Sequence, residues 1–372
     1  MLSASEALSE SLHARVREFG LCSLSGSAAP SESFEQLALD IARYQARFNP
    51  VLKRRQPASG AALADLRDVP AVPADAFRMG RVACHPPASD CIRFYTTGTT
   101  ASPGIHPLRT LETYRVLSVA WGRRALCPDS ASRFTVVALA QPFEPLRRSS
   151  LGYMMQQFMC EFDGRALAHG AAFDSSEPGR WLLGTDGVDR AGLERAVAVA
   201  TERGEPLLLL ATSFALGWLL ESIGSARLPL PPGSRVMHTG GFKGRVSELD
   251  GPRLALETSR ALGVNASNII GEYGMTELSS QLYDGGSGPR EASLFRAPPW
   301  LRVTPVDPLS LEPVQPGEVG LAEFTDLANV DSSLKLLTRD LVQSTDTGVM
   351  LLGRQPGSSL RGCSLAVEAL RS

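Results

Sequence analysis

Four short segments carry residue types that can do chemistry on a nucleotide. The first, FYTTGTTASPG from Phe94 to Gly104, is rich in threonine and glycine. Such a loop suits a polyphosphate. Gly98 lets backbone N–H groups approach phosphate oxygens, and Thr96, Thr97, Thr99 and Thr100 add neutral hydroxyl donors without bulk. A plain Thr/Gly turn would have the same composition. The second, GEYGMTE from Gly271 to Glu277, directly follows an apolar run. An acidic side chain at the mouth of a parallel strand is where a ligand for Mg2+–ATP is expected, and Glu277 is that ligand. Tyr273, next to Gly274, offers adenine a flat face, and the Thr276 hydroxyl can bond a phosphate. Thr276 and Glu277 would equally serve as the capped start of a helix.

The third segment, TRDL from Thr338 to Leu341, is followed by Gly353-Arg354 and then by LRGCSL at 360–365. A carboxylate such as Asp340 at a strand edge can accept both hydroxyls of a ribose. A surface turn is the other reading. The fourth, MHTGGFK from Met237 to Lys243, ends a strand in the pair Gly240-Gly241. It can line an adenine pocket with Lys243 reaching a phosphate or carboxylate, or it is a tight turn with a solvated lysine. Lys243 is one of only three lysines, with Lys53 and Lys335.

The elements that must position these segments follow from periodicity. From residue 92 onward, apolar runs at 92–95, 134–140, 206–210, 235–238 and 268–270 alternate with helical patterns at 110–126, 149–159, 191–203, 213–223 and 246–262. That alternation predicts an α/β fold with a largely parallel sheet, and it puts the Thr/Gly loop between a strand and a helix. Upstream, Phe34, Leu37, Ile41, Tyr44 and Phe48 stand at helical spacing, with Ser31 as the expected N-cap and Pro50 as the stop. After Trp300 the texture turns to short β-like runs between Pro/Gly turns. The expected division is a helical segment over 1–90, an α/β core over 91–299 and a β-rich subdomain over 300–372. The Met-containing stretch GYMMQQFMCEF (152–162) is either core or the lining of an acyl pocket.

Composition excludes several classes. The chain has 372 residues, 43% of them hydrophobic, and a net charge of −2. No global field therefore draws it to nucleic acid or acidic lipid. The most apolar stretch, 206–220, is broken by Thr212, Ser213 and Gly217, so it reads as a buried strand turning into a core helix rather than a membrane span. No secretory signal is evident at the N-terminus, and the cytoplasm is the expected location. Six dispersed cysteines without a CxxC pair suggest free thiols, and no zinc-like ligand spacing occurs.

Taken in order, the segments resemble the adenylate-forming ligase superfamily of acyl-CoA synthetases, nonribosomal adenylation domains and luciferases. TTGTT at 96–100 looks like its phosphate loop, YGMTE at 273–277 matches its core nucleotide motif, TRDL is similar to its ribose-binding motif, and Gly353-Arg354 resembles its hinge. A narrower resemblance is to the acyl-protein synthetases of bacterial luminescence (long-chain-fatty-acid–luciferin-component ligases). It rests on IARYQARFNP (41–50), VPADAF (72–77), the Gly-Gly-aromatic-Lys turn (240–243) and LRGCSL (360–365). The resemblance implies the fold of the superfamily's N-terminal domain, ATP and Mg2+ as cofactors, a fatty or other carboxylic acid as substrate, and an acyl-CoA-reductase-like partner. It also implies that Cys363, at the position of that family's acyl-carrying cysteine, takes the acyl group from acyl-AMP, with Lys243 as a further catalytic candidate. Two departures stand out. Ala101-Ser102-Pro103-Gly104 replaces the usual Gly and Lys of the phosphate loop, and 18 residues after Arg354 imply that the superfamily's lid domain is absent. Transfer to coenzyme A or a carrier protein, and an inactive nucleotide-binding scaffold, remain the alternatives.

Overall fold

The structure is a computed structural model describing residues 3–26, 29–54, 63–96, 103–128, 133–143, 148–163, 180–185, 187–240, 251–285 (side chains from 253) and 294–355. The chain divides into two compact units. One comprises 1–120, 275–281 and 297–372, and the other 121–274 and 282–296.

The second unit is built on a sheet whose spatial order follows the chain. Thr135–Leu139, Leu207–Thr212, Arg235–Thr239 and Ile269–Tyr273 run parallel, and Leu282–Tyr283 adds an antiparallel edge. Leu207, Leu208, Leu209, Leu210 and Ala211 are all buried. A strand covered on both faces needs such an uninterrupted apolar run, and each buried leucine contributes about 1.5–3 kcal/mol. Helices Arg190–Arg203, Ser213–Ile223 and Gly251–Leu262 alternate with these strands. Leu193, Leu216, Leu219, Leu254 and Leu262 pack with strand residues into one core. The expected strand-into-helix turn is present: Thr212 ends its strand, and its hydroxyl accepts from the Ala215 N–H at 3.2 Å to cap the next helix. In the helix Ser150–Phe162, Met154, Met155, Phe158 and Met159 are buried, as core residues are.

The first unit joins the two ends of the chain. Its antiparallel strands Leu301–Val306, Val319–Asp326, Lys335–Thr345 and Gly348–Arg354 realise the expected β-rich segment. Val72–Pro73 pairs parallel to Leu336–Leu337 on the same sheet. The N-terminal helices are tied to this segment too. Asp331 accepts from Ser9 Oγ at 2.6 Å, Tyr44 OH at 2.8 Å and the His13 ring at 2.9 Å, which hold its carboxyl well below the usual range. The Gln45 amide donates to the carbonyls of Asn329 and Val330, at 2.8 and 2.9 Å. These long-range bonds tie the N-terminal helices to the β-rich segment within the first unit.

Two local expectations also change. The helix Ala4–Ser25 falls within the helical segment expected over 1–90, although no individual helix was delimited at those residues. Its apolar residues form no clean stripe, and it is secured by a capping box between Ser3 and Glu6. The helix Phe34–Phe48 is capped by Ser33, whose hydroxyl accepts from the Gln36 N–H at 3.1 Å. Ser31 instead donates to Glu18 at 3.0 Å.

Candidate active site

The Thr/Gly loop lies between two antiparallel strands, Ile92–Tyr95 and Ile105–Leu108, rather than between a strand and a helix. The helix Glu112–Leu126 begins only after the second strand. The base of the hairpin is closed reciprocally: Thr96 N–H donates to the Gly104 carbonyl at 3.0 Å, and Gly104 N–H donates to Thr96 Oγ1 at 2.7 Å. The Thr96 oxygen is thus engaged as an acceptor, while its proton stays available to donate. Thr97, Gly98, Thr99 and Thr100 lie outside the described residues.

Gly104 sits at a close approach. A Cβ there would stand 3.1 Å from Thr96 Cγ2, 3.3 Å from Arg78 Cγ and 3.4 Å from Glu277 Oε1. A side chain at this position would press on all three groups, so glycine eases their meeting at the loop's base. The carboxyl of Glu277 is buried, and burial pushes its pKa up to about 7; Arg78 and Arg354 pull it down, Asp75 pushes it up. Its own backbone N–H is the hydrogen-bond donor to it, and among the described residues no side chain pairs with it.

The segment carrying Glu277 is a turn, not a helix start. Leu278 N–H donates to the Met275 carbonyl at 3.2 Å. Two side chains fix this turn from outside. His106, in the second strand of the hairpin, lies 2.7 Å from the Thr276 carbonyl through Nδ1 and 3.0 Å from Ser332 Oγ through Nε2. A carbonyl can only accept, so Nδ1 carries the proton and Nε2 accepts from the serine. Burial lowers the His106 pKa to about 4, which keeps the ring neutral. The Asn329 amide donates to the Glu277 carbonyl at 3.0 Å. Neither His106 nor Asn329 was singled out from sequence. The one available signal was the position of His106, two residues beyond the loop.

Asp340 lies within the strand Lys335–Thr345, where a register shift separates it from Val342, and not in a surface turn. It is the ladder partner of Arg354, whose Nε donates to Asp340 Oδ1 at 3.0 Å. Asp340 and Arg354, on the two strands of one hairpin, therefore stand together, and Arg354 also acts on Glu277. Beside them Arg339 pairs with Asp75 at 3.1 Å. The first unit thus gathers Thr96, Arg78, Thr276, Glu277, Asp340 and Arg354.

In the second unit Tyr273 ends its strand and meets Phe295 edge-on, with centroids 6.5 Å apart; Gly274 follows it. Gly240 follows the neighbouring strand in a left-handed conformation, φ +86°. Between these positions is a residue the sequence reading left without a role. Glu272 is buried, accepts a short hydrogen bond from Thr239 Oγ1, and has its pKa raised by burial to about 7. Gly241, Lys243 and Cys363 lie outside the described residues.

No cluster of three or more His, Cys, Asp or Glu side chains suited to a metal ion exists among the described residues, and none of their helices is long and apolar enough to cross a membrane. Cys22, Cys84, Cys91, Cys127 and Cys160 are free thiols.

This α/β architecture is the fold of the N-terminal domain of adenylate-forming ligases. Among solved structures the chain is similar to 2-hydroxyisobutyryl-CoA ligase in its open conformation with 2-HIB-AMP and CoA. The identity is 17% and the TM-score 0.57, over 88% of this chain and 76% of that one. It is also similar to the same ligase in the thioesterification state, at 16% identity and TM-score 0.53, over 95% of this chain and 69% of that one. At such identities the likeness is one of fold. No family model matches the sequence, and no curated protein matches it.

Proposed function

We propose that the protein is an ATP-dependent ligase that joins a carboxylic acid to AMP and then passes the acyl group to a thiol. The observation that carries this reading is the convergence of Thr96, Glu277, Asp340 and Arg354 in one unit of an adenylate-forming-ligase fold. A carboxylate resists attack because the leaving group would be oxide. Its oxygen therefore attacks the α-phosphorus of ATP, pyrophosphate leaves, and the acyl carbon acquires AMP as its leaving group. Catalysis of that step is positioning and charge stabilisation. Asp340 accepts the ribose hydroxyls, and the Thr96 hydroxyl donates to a phosphate. Tyr273, Gly240, Gly241 and Lys243 are further nucleotide-binding candidates by their sequence motifs.

Mg2+ fits the donor set. A hard cation held by one carboxylate and substrate phosphates needs a single oxygen ligand without a competing partner, and Glu277 has a buried carboxyl with no side-chain partner among the described residues. When bound, the ion would offset charge on the phosphates.

In the finer reading the acid is a fatty acid, the acceptor is the Cys363 thiolate, which attacks the acyl carbon and expels AMP, and a reductase-like protein takes the acyl group onward. Coenzyme A is the second candidate acceptor, favoured by the fold's likeness to a CoA ligase. The test of the common step is acid-dependent exchange of labelled pyrophosphate into ATP. Glu277→Gln should lower it about tenfold or more, a loss of about 1.4 kcal/mol. Exchange at the wild-type rate in that variant removes Glu277 from the metal role, and no exchange in the wild type defeats the ligase reading.

A further inference from the structure

Arg78 stands at the base of the Thr/Gly loop without an assigned role. The segment that carries it is anchored. Val72–Pro73 is paired in the sheet, Ala74 N–H donates to the Leu337 carbonyl at 2.9 Å, and Phe77 is buried with its ring edge-on to His106 at 5.4 Å. Arg78 itself is exposed, with its Cγ at the crowded Gly104 position and its charge acting on Glu277. The neighbouring guanidinium groups are engaged, Arg339 with Asp75 and Arg354 with Asp340. Among the described residues the Arg78 guanidinium has neither an ion pair nor a side-chain hydrogen bond. The loop meanwhile carries no lysine: the next residues are Ala101, Ser102, Pro103 and Gly104.

An exposed guanidinium on an anchored segment, near Thr96, Gly104 and the buried carboxylate of Glu277, has one natural class of ligand. We propose that Arg78 binds the terminal phosphates of the nucleoside triphosphate, the part that leaves as pyrophosphate, and so supplies in trans to the loop the cation that the loop lacks. The inference rests on the ligase reading for its chemistry. A guanidinium binds a polyphosphate through forked, charge-assisted hydrogen bonds, which an ammonium reproduces only as a point charge. Negative charge accumulates on the departing pyrophosphate as the carboxylate attacks, so the same contact favours adenylation as well as binding. No bond of the arginine changes in the step.

The alternative role for Arg78 is purely local, a counter-charge to Glu277, and the experiment separates the two. Calorimetry on the full chain would measure Mg2+–ATP and AMP binding to wild type, Arg78→Gln and Arg78→Lys, with melting curves as a folding control. The expected result is a loss of ATP affinity of about tenfold or more in Arg78→Gln. AMP affinity should stay within about twofold, and Arg78→Lys should recover part of the loss. Equal losses for ATP and AMP, or an unchanged ATP-to-AMP ratio accompanied only by a shifted pH profile, would overturn the proposal. A wild type that discriminates ATP from AMP through Arg78 yet shows no pyrophosphate exchange would defeat the ligase reading and leave the phosphate contact standing.

Discussion

Asp340 is held in place by its strand and by its neighbours. One of its oxygens accepts from Arg354, its backbone N–H donates to Thr338 Oγ1 at 3.1 Å, and a carboxylate oxygen can accept a second donor through its other lone pair. If those lone pairs take the ribose hydroxyls, Asp340→Ala should weaken ATP binding by about 1.5–3 kcal/mol, the range for hydrogen bonds to a charged group. Binding isotherms with ATP and its 2′,3′-dideoxy analogue provide the check. The variant should lose most of the preference for the ribose form, and a variant that keeps it would show that Asp340 serves only its strand. Of the residues around this site, Thr276, Glu277, Asp340 and Arg354 were readable from short motifs. Arg78, His106 and Asn329 were not, because their importance comes from neighbours far away in sequence.

At the scale of elements, the paired strand ends in the second unit carry a pH dependence. Thr239 and Glu272 are ladder partners, and the buried carboxyl of Glu272 has its pKa raised from an ordinary 4.5 to about 7. The folded state therefore holds the proton more tightly than the unfolded chain does. Its stabilising effect is complete below the unfolded value and is lost as pH rises through the folded value. Glu277 and Asp326 are raised in the same sense, to about 7 and about 6. Without nucleotide, the melting temperature should fall as pH rises from about 5 to about 8, and Glu272→Gln should flatten part of that fall. Equal slopes in wild type and variant would mean that Glu272 titrates alike in both states. Sequence could not have separated Glu272 from Glu277 here. Burial raises both, but Thr239 donates to the first while no side chain among the described residues pairs with the second.

For the whole molecule the open choice is the acyl acceptor. Incubation with radiolabelled acid and ATP should label the protein, and neutral hydroxylamine should release the label if a thioester forms on Cys363. Cys363→Ser should lose that label while keeping pyrophosphate exchange, because adenylation precedes attack by the thiol. Equal hydroxylamine-sensitive labelling in both proteins would eliminate Cys363 as the carrier, and efficient acyl-CoA formation by the variant would favour coenzyme A.

The α/β class and its strands and helices were readable from the linear chain because their causes are local. A buried parallel strand demands a continuous apolar run such as Leu207–Ala211, and Thr212 can cap the following helix wherever that helix packs. Motif order was readable for the same reason. Tertiary structure alone decided that residues 1–90 join the C-terminal strands, because that depends on Asp331, Gln45 and Val72 finding partners hundreds of residues away. It also decided that the strands on either side of the Thr/Gly segment pair antiparallel, and that Gly104, Arg78 and Glu277 come close together. Burial, and with it the protonation of Glu277 and Glu272, depends on which surfaces meet when the chain collapses, and no local spacing of residues encodes that.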